Sequence, residues 1–293
     1  MTEAHPDEAL RATLRWYADM GLDDVIGASP SDFSTWQNRG PVSAPQMQRK
    51  APAPPSTMTN MSATQRPSNN ARQTPAPVSG LDAPLPTDEA VARAQALAGG
   101  CESLAALRSA IQGFDGCPLK PGARNTVIDD GIEGAPLMVL GEAPGRDEDR
   151  IGKPFVGRAG QLLDRMLAAI GHSRFEDEME AAYISNSIFW RPPGNRTPTR
   201  AEVAICLPFV LRLIELAQPK VLILVGNTPT QALFDSVPGI TRARGLWRAH
   251  ETSAGQVIPA LPMFHPAFLL RQPLQKRLAW ADLIEVRKKL KDA

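Results

Sequence analysis

The chain has 293 residues, of which 43% are hydrophobic and 22% charged, and its formal net charge is +1. This length suits one sizeable α/β domain with additional material. The near-neutral charge excludes binding of nucleic acid by whole-chain charge alone, so any such binding needs a local patch. Three cysteines and no charged-then-apolar leader argue against secretion. No apolar run approaches the ~18 residues of a membrane span. We therefore expect a soluble, cytoplasmic protein.

Two segments of different composition precede the expected domain. Residues 1–25 place Leu10, Leu14 and Tyr17 at helical spacing, which predicts a short amphipathic helix that either binds a protein partner or frays in isolation. Residues 26–87 are rich in Pro, Ser, Thr, Gln and Asn. Such a composition buries too little apolar surface to offset its ordering entropy, so it predicts a disordered linker.

Residues 88–293 alternate apolar runs with helical patterns. Two helices are predicted first, at 88–97 and 101–112. Buried parallel strands are predicted at 138–141, 182–187, 221–226 and 258–263. Further helices are predicted at 161–170, 200–217, 228–234 and 282–290. This order predicts a three-layer α/β/α sandwich with a mostly parallel central sheet.

The most informative segment follows the first predicted strand. Gly141-Glu-Ala-Pro-Gly145 is a tight turn that carries a carboxylate, and the glycine-punctuated loop Gly152-Lys-Pro-Phe-Val-Gly157 leads into the next helix. Ligands of parallel α/β domains bind at the carboxyl ends of the strands, so this segment predicts an active-site loop. It is not a phosphate-binding loop, because Pro154 stands where that motif needs a hydroxyl.

The same residues resemble motif A of the family-four uracil-DNA glycosylases. Tyr183-Ile-Ser-Asn186 is similar to the strand end that reads uracil in that family, and the segment 191–199 resembles the one that follows it. His265-Pro-Ala-Phe-Leu-Leu-Arg271 resembles motif B. The matches span roughly the last two-thirds of the chain in the expected order. The resemblance implies a DNA repair enzyme that flips deoxyuridine out of DNA, hydrolyses its N-glycosidic bond and leaves an abasic site.

The resemblance also implies a uracil pocket. The Phe155 ring is expected to stack on the flipped base, and the Asn186 carboxamide to read its edge, since an amide can donate to uracil O4 and accept from N3–H. His265 is expected to donate to uracil O2 as the base leaves, which makes Asn186 and His265 catalytic as well as binding residues. Gly141 and Ala143 complete the expected pocket.

Glu142 completes the predicted catalytic set. Some other glycosylase families carry a water-activating Asp where Ala143 stands, and family four resembles this chain in lacking it. Catalysis is then expected to rest mainly on stabilising the leaving base, with Glu142 orienting water or the oxocarbenium-like sugar. Glu148 and Asp149 are alternatives that fit a capped, solvated loop equally well.

DNA contacts are expected at Arg196, Phe268, Leu269 and Arg271. The apolar pair in this set resembles the wedge that fills the space left by a flipped nucleotide. The two arginines can bind phosphates, although for Arg271 a solvated surface charge is at least as good an interpretation. The expected partners are uracil-containing DNA and, through residues 1–25, a protein. We expect a monomer without membrane contact.

The cysteines depart from the family pattern. Most relatives hold a [4Fe–4S] cluster with four cysteines, and here Cys117 and Cys206 match two ligand positions while Phe114 and Trp190 occupy the other two. Aromatic side chains cannot ligate iron, and such a cluster requires four thiolates. Cys101 lies one helix upstream. We therefore predict no cofactor and an apolar plug in the cluster volume, with a [4Fe–4S] cluster as in the family as the alternative.

The sequence also bears on two other functions. Relatives that trap their product covalently need an inserted basic loop in place of residues 192–196, and this chain keeps the ordinary segment, so turnover is expected. The rival from another class is a non-catalytic, uracil-sensing or scaffold protein that recruits repair partners through its N-terminal arm.

Overall fold

The computed structural model describes residues 87–175, 180–234 and 237–292. The predicted helix at 1–25 and the predicted linker at 26–87 lie outside these residues, apart from Thr87, which begins the first helix. Among the helices of the described part, none has the length and apolar character needed to cross a membrane.

Within the described residues, seven strands form one mixed sheet. They are β1 (Asp129–Gly131), β2 (Leu137–Gly141), β3 (His172–Ser173), β4 (Glu180–Asn186), β5 (Val221–Val225), β6 (Arg248–Glu251) and β7 (Val257–Met263). The strand order is β1-β4-β2-β5-β7-β6, and β3 also pairs with β4. The four central strands β4, β2, β5 and β7 run parallel, whereas β1 and β6 are antiparallel edges.

Helices lie on both faces of this sheet. The longer ones are α1 (Thr87–Gly99), α2 (Leu104–Gly113), α4 (Arg158–Ala168), α5 (Arg200–Ala217) and α9 (Lys276–Asp292). Four short helices, α3 (Arg146–Ile151), α6 (Asn227–Leu233), α7 (Ile240–Ala243) and α8 (Pro266–Arg271), lie in the connections. The predicted three-layer α/β/α fold with a mostly parallel sheet is confirmed.

Successive side chains of the central strands point to opposite faces of the sheet and form two hydrophobic cores. On β2, Met138 and Leu140 face the layer of α1, α2 and α5, while Leu137 and Val139 face the layer of α4 and α9. All four side chains are fully buried. A parallel strand covered on both faces therefore reads as a continuous apolar run, which is why these strands were recognisable from the sequence.

The register of the central strands brings their carboxyl ends level. Gly141 at the end of β2 pairs with Asn186 at the end of β4, and Val225 at the end of β5 pairs with Met263 at the end of β7. The residues that follow these four positions are thus delivered to one edge of the sheet, where a doubly wound domain places its ligand site.

Candidate active site

A cavity of about 580 Å³ opens at this edge of the sheet. Glu142 follows β2, Gly226 follows β5 and His265 follows β7, and all three line it. Phe155 contributes from the loop before α4, and the segment after β4 contributes a further wall that includes Arg196. The structure thus gathers at one site residues that are more than a hundred positions apart in the sequence.

The carboxylate of Glu148 organises the loop that carries Phe155. One of its oxygens accepts hydrogen bonds from the backbone N–H groups of Val156 (3.0 Å) and Gly157 (2.9 Å), and the other accepts from Gly145 (3.1 Å). The two halves of the motif are therefore tied together through this side chain. With its oxygens used in this way, Glu148 is a loop-organising residue, and the bond from Gly145 is the helix cap that its alternative interpretation expected.

Phe155 sits in this loop in a strained conformation. Its φ is 54°, in the left-handed region that costs a non-glycine residue ~1–2 kcal/mol. Its ring is 5% exposed and lies directly over Gly141, where a Cβ would come within 2.5 Å of ring atom Cζ. Gly141 is therefore required at this position because any side chain would displace the Phe155 ring.

His265 caps the N-terminus of α8 and faces Phe155. The N–H of Ala267 donates to His265 Nδ1 at 3.1 Å, which leaves the proton of the neutral ring on Nε2. The Phe155 and His265 rings are stacked, with centroids 5.7 Å apart and planes inclined by 25°. Burial and then the charge of Arg271 lower the pKa of His265 to about 4, so the imidazole is neutral near pH 7.

Asn186 lies behind the cavity rather than on its wall. It is 2% exposed, and its Oδ1 approaches Gly141 so closely that a Cβ there would clash with it. Among the hydrogen bonds of the described residues, none involves the Asn186 carboxamide. The amide thus sits beneath the Gly141–Phe155 contact.

Glu142 is held by a residue that the sequence analysis missed. The hydroxyl of Thr228 donates to Glu142 Oε2 at 2.6 Å, across 86 positions of sequence. Thr228 is buried in the first turn of α6. The available signal was its place directly after a buried parallel strand, where polar side chains reach the ligand edge.

The four residues predicted to contact DNA have different surroundings. Phe268 and Arg271 line the cavity. Arg196 also lines it, but its guanidinium makes a two-pronged ion pair with Glu202 (2.9 and 2.6 Å), which holds the pKa of that carboxyl below its usual range. Leu269 is 1% exposed and packs in the core. The assignment of Leu269 to the DNA-contacting surface therefore does not agree with its position, because α8 turns it inward.

The residues at the four cluster positions form a packed aromatic region. Phe114 is fully buried, with its ring centroid 6.5 Å from Trp190 and 5.1 Å from Phe209. Cys117 and Cys206 are buried beside these rings as free thiols, and the neighbouring Cys117 sulfur together with burial raises the pKa of Cys206. In the ranges that the structure describes, no three His, Cys, Asp or Glu side chains gather as a metal site. This donor set does not fit a four-iron cluster.

The fold and the cavity define an α/β protein with a ligand site at the carboxyl edge of a parallel sheet, built around an aromatic ring, a neutral imidazole and a carboxylate. A sequence model of the uracil DNA glycosylase superfamily matches residues 128–284, and the chain belongs to this superfamily.

Curated relatives match between 53% and 64% of the chain. The type-4 uracil-DNA glycosylase of Thermotoga maritima is 39% identical over 156 residues, which are 53% of this chain and 77% of the relative. That of Archaeoglobus fulgidus is 38% identical over 162 residues, 54% of this chain and 78% of the relative. That of Sulfurisphaera tokodaii is 32% identical over 193 residues, 64% of this chain and 84% of the relative.

Proposed function

We propose that this chain is a DNA repair glycosylase that hydrolyses the N-glycosidic bond of deoxyuridine in DNA, releases uracil and leaves an abasic site. Membership of the superfamily and the type-4 uracil-DNA glycosylase relatives support this function. The observation that carries it is the stacked pair of Phe155 and neutral His265 at the carboxyl edge of the sheet. This pair offers a π face and a hydrogen-bond donor to one flat, polar base.

Uracil recognition is assigned to the Phe155 ring and the Asn186 carboxamide. Stacking of a base on an aromatic ring contributes about 1–3 kcal/mol and is available only once the base has left the duplex. A buried amide can donate to uracil O4 and accept from N3–H, whereas cytosine presents the opposite pattern.

His265 is assigned to the leaving base. As the bond between the sugar C1′ and uracil N1 breaks, both electrons go to the base, and negative charge builds on its O2 oxygen. The Nε2–H of His265 can donate to that oxygen while Ala267 holds the ring through Nδ1. A preorganised donor of this kind typically contributes 10²–10³ in rate (about 2.7–4 kcal/mol) without a proton having to move.

Glu142 is assigned to the sugar side of the reaction. Its carboxylate, fixed by Thr228, can orient the attacking water and offset positive charge on the oxocarbenium-like sugar. Water attacks C1′, its proton passes to the carboxylate or to solvent, and the abasic sugar carries the new hydroxyl. Phe268 and Arg271, which line the cavity, are assigned to the DNA strand on either side of the flipped nucleotide.

The direct test is release of free uracil from single-stranded and double-stranded oligonucleotides that contain one deoxyuridine. Cleavage at the resulting abasic site should yield a single product whose length marks the uracil position. Oligonucleotides with thymine or cytosine at that position are the matched controls. Binding to uracil-containing DNA without release of uracil would contradict the proposal and favour the non-catalytic alternative.

A further inference from the structure

We propose that Arg174 is the positioning residue that fixes Phe155 in its base-stacking conformation, an inference that rests on the proposed function. Arg174 follows β3 and is not among the residues that line the cavity. Its side chain is 4% exposed. Any effect on the reaction must therefore be transmitted through the loop that it contacts.

The guanidinium binds the backbone on both sides of the Pro154–Phe155 peptide bond. Nη1 donates to the carbonyl of Pro154 at 2.8 Å, and Nη2 donates to the carbonyl of Phe155 at 2.5 Å. Two parallel bonds from one rigid, planar group restrain rotation of this peptide as well as its position. An ammonium group is a single point and cannot reproduce this geometry.

Two carboxylates hold the guanidinium in place. Arg174 Nη2 lies 2.8 Å from Asp164 and Nη1 lies 3.4 Å from Asp130. Burial raises the pKa of Asp164. The hydrogen bond from Arg174 lowers this pKa, but the effect of burial is larger. Asp164 belongs to α4, so the network anchors the loop to the helix that follows it.

The loop needs such a restraint because its backbone is strained. Phe155 has φ 54°, a conformation that a non-glycine residue leaves when nothing holds it. Gly160 in the first turn of α4 packs directly on the Phe155 carbonyl, and a Cβ at this position would overlap it. Arg174 and Gly160 thus act on the same carbonyl, one by binding it and the other by leaving it room.

The restraint matters for the site because the Phe155 ring position depends on its backbone. The ring is stacked on His265 at 5.7 Å and covers Gly141. Relaxation of φ toward an ordinary value would swing the ring away from both. The base would then lose its stacking surface, while the residues that contact the sugar and the DNA strand would stay in place.

The test is a double-mutant cycle on the single-turnover rate of uracil release. We expect Arg174→Lys to lower this rate at least tenfold in the wild-type background and less than twofold in a Phe155→Ala background. Affinity for the same oligonucleotide with thymine in place of uracil should stay unchanged. Arg212→Lys is the matched control, because Arg212 also binds a backbone carbonyl (Cys101, 2.7 and 2.9 Å), in the layer of α5.

Equal effects of Arg174→Lys in the two backgrounds would overturn the proposal, since they would mean that Arg174 stabilises the fold without acting through Phe155. An unchanged rate in the wild-type background would overturn it as well. If Arg174→Lys does not fold, Asp164→Asn, which keeps the guanidinium but removes an anchor, should show the same dependence on Phe155. Failure of the proposed function is distinct, because the wild-type protein would then release no uracil.

Discussion

Two buried regions of this domain, the loop at the cavity and the aromatic region around Cys206, are stabilised in different ways. At the cavity and its loop, specific polar groups bind over short distances, as in Thr228 with Glu142 and Arg174 with the Phe155 carbonyl. In the aromatic region, Phe114 and Trp190 are fully buried and pack against each other ring to ring. The stability of the first region depends on the direction and charge of its hydrogen bonds, whereas the stability of the second depends on how well side chains fill its volume.

This difference predicts which substitutions should lower the reaction rate and which should lower the stability of the fold. Hydrogen bonds and a strained backbone fix atoms to within fractions of an ångström, so changes at the cavity should reduce the reaction rate more than they reduce stability. Close-packed rings are restrained by shape, so changes there should reduce stability and leave the chemistry intact. The following predictions test this division, starting with the largest effect.

Trp190→Ala should have the largest effect on stability. Trp190 is 1% exposed, packs against Phe114 and Phe189, and donates from Nε1 to the Thr126 hydroxyl at 3.0 Å. Removing a fully buried Trp typically costs about 3–5 kcal/mol of unfolding free energy. Urea denaturation measures it, and Trp247→Ala, at a half-buried surface position, should cost clearly less. The rate of uracil release per folded molecule should stay unchanged. A fall in that rate in proportion to the loss of stability would contradict the division.

His265→Ala should have the largest effect on the reaction. Loss of one preorganised donor to the leaving base should lower the single-turnover rate by roughly 10²–10³. His250→Ala is the matched control, because His250 is also buried but lies on an edge strand away from the cavity. A folded His265→Ala protein with the wild-type rate would remove His265 from the mechanism.

The low pKa of His265 predicts a pH dependence of stability. In the unfolded chain a histidine titrates near 6.5, whereas in the folded protein the pKa is about 4, so the unfolded state binds more protons between these values. The stability that this group contributes is fully present above about 6.5 and is lost as the pH falls through about 4. Between pH 7 and pH 5 the loss should be on the order of 2 kcal/mol.

The difference between wild-type and His265→Ala stability curves isolates this contribution, because His250, whose pKa burial also lowers, is present in both proteins. The curves should converge as the pH falls from 7 to 5. Curves that stay parallel over this range would show that His265 titrates at its ordinary pKa.

Cys117→Ala and Cys206→Ala should have the smallest effects. If both thiols are small buried hydrophobes, each substitution should cost about 1 kcal/mol and leave uracil release unchanged. Iron analysis and visible absorbance of the anaerobically purified protein test the same prediction, and we expect no stoichiometric iron. Near four iron atoms per chain, or loss of activity in both variants, would show that the cysteines hold a cluster.

Much of this architecture could be predicted from local sequence. The helix at 200–217 begins and ends where predicted, since Thr199 and Glu202 form a capping box ahead of a long apolar face. The central strands were recognisable as apolar runs. The edge strands β1 and β6 were missed because they are short and polar. They are not buried on both faces, so they lack the apolar run of a central strand.

The candidate site also has features that the sequence predicted and features that it did not. The sequence by itself determined which residues could meet, because the turn after β2, Asn186 and His265 each follow a recognisable strand. Only the tertiary structure decided how they meet: that Thr228 holds Glu142, that Leu269 turns into the core, and that Arg174 binds the backbone of Phe155. The physical reason is range, since strand and helix patterns arise from neighbours within a few positions, whereas each of these contacts depends on packing between separate elements.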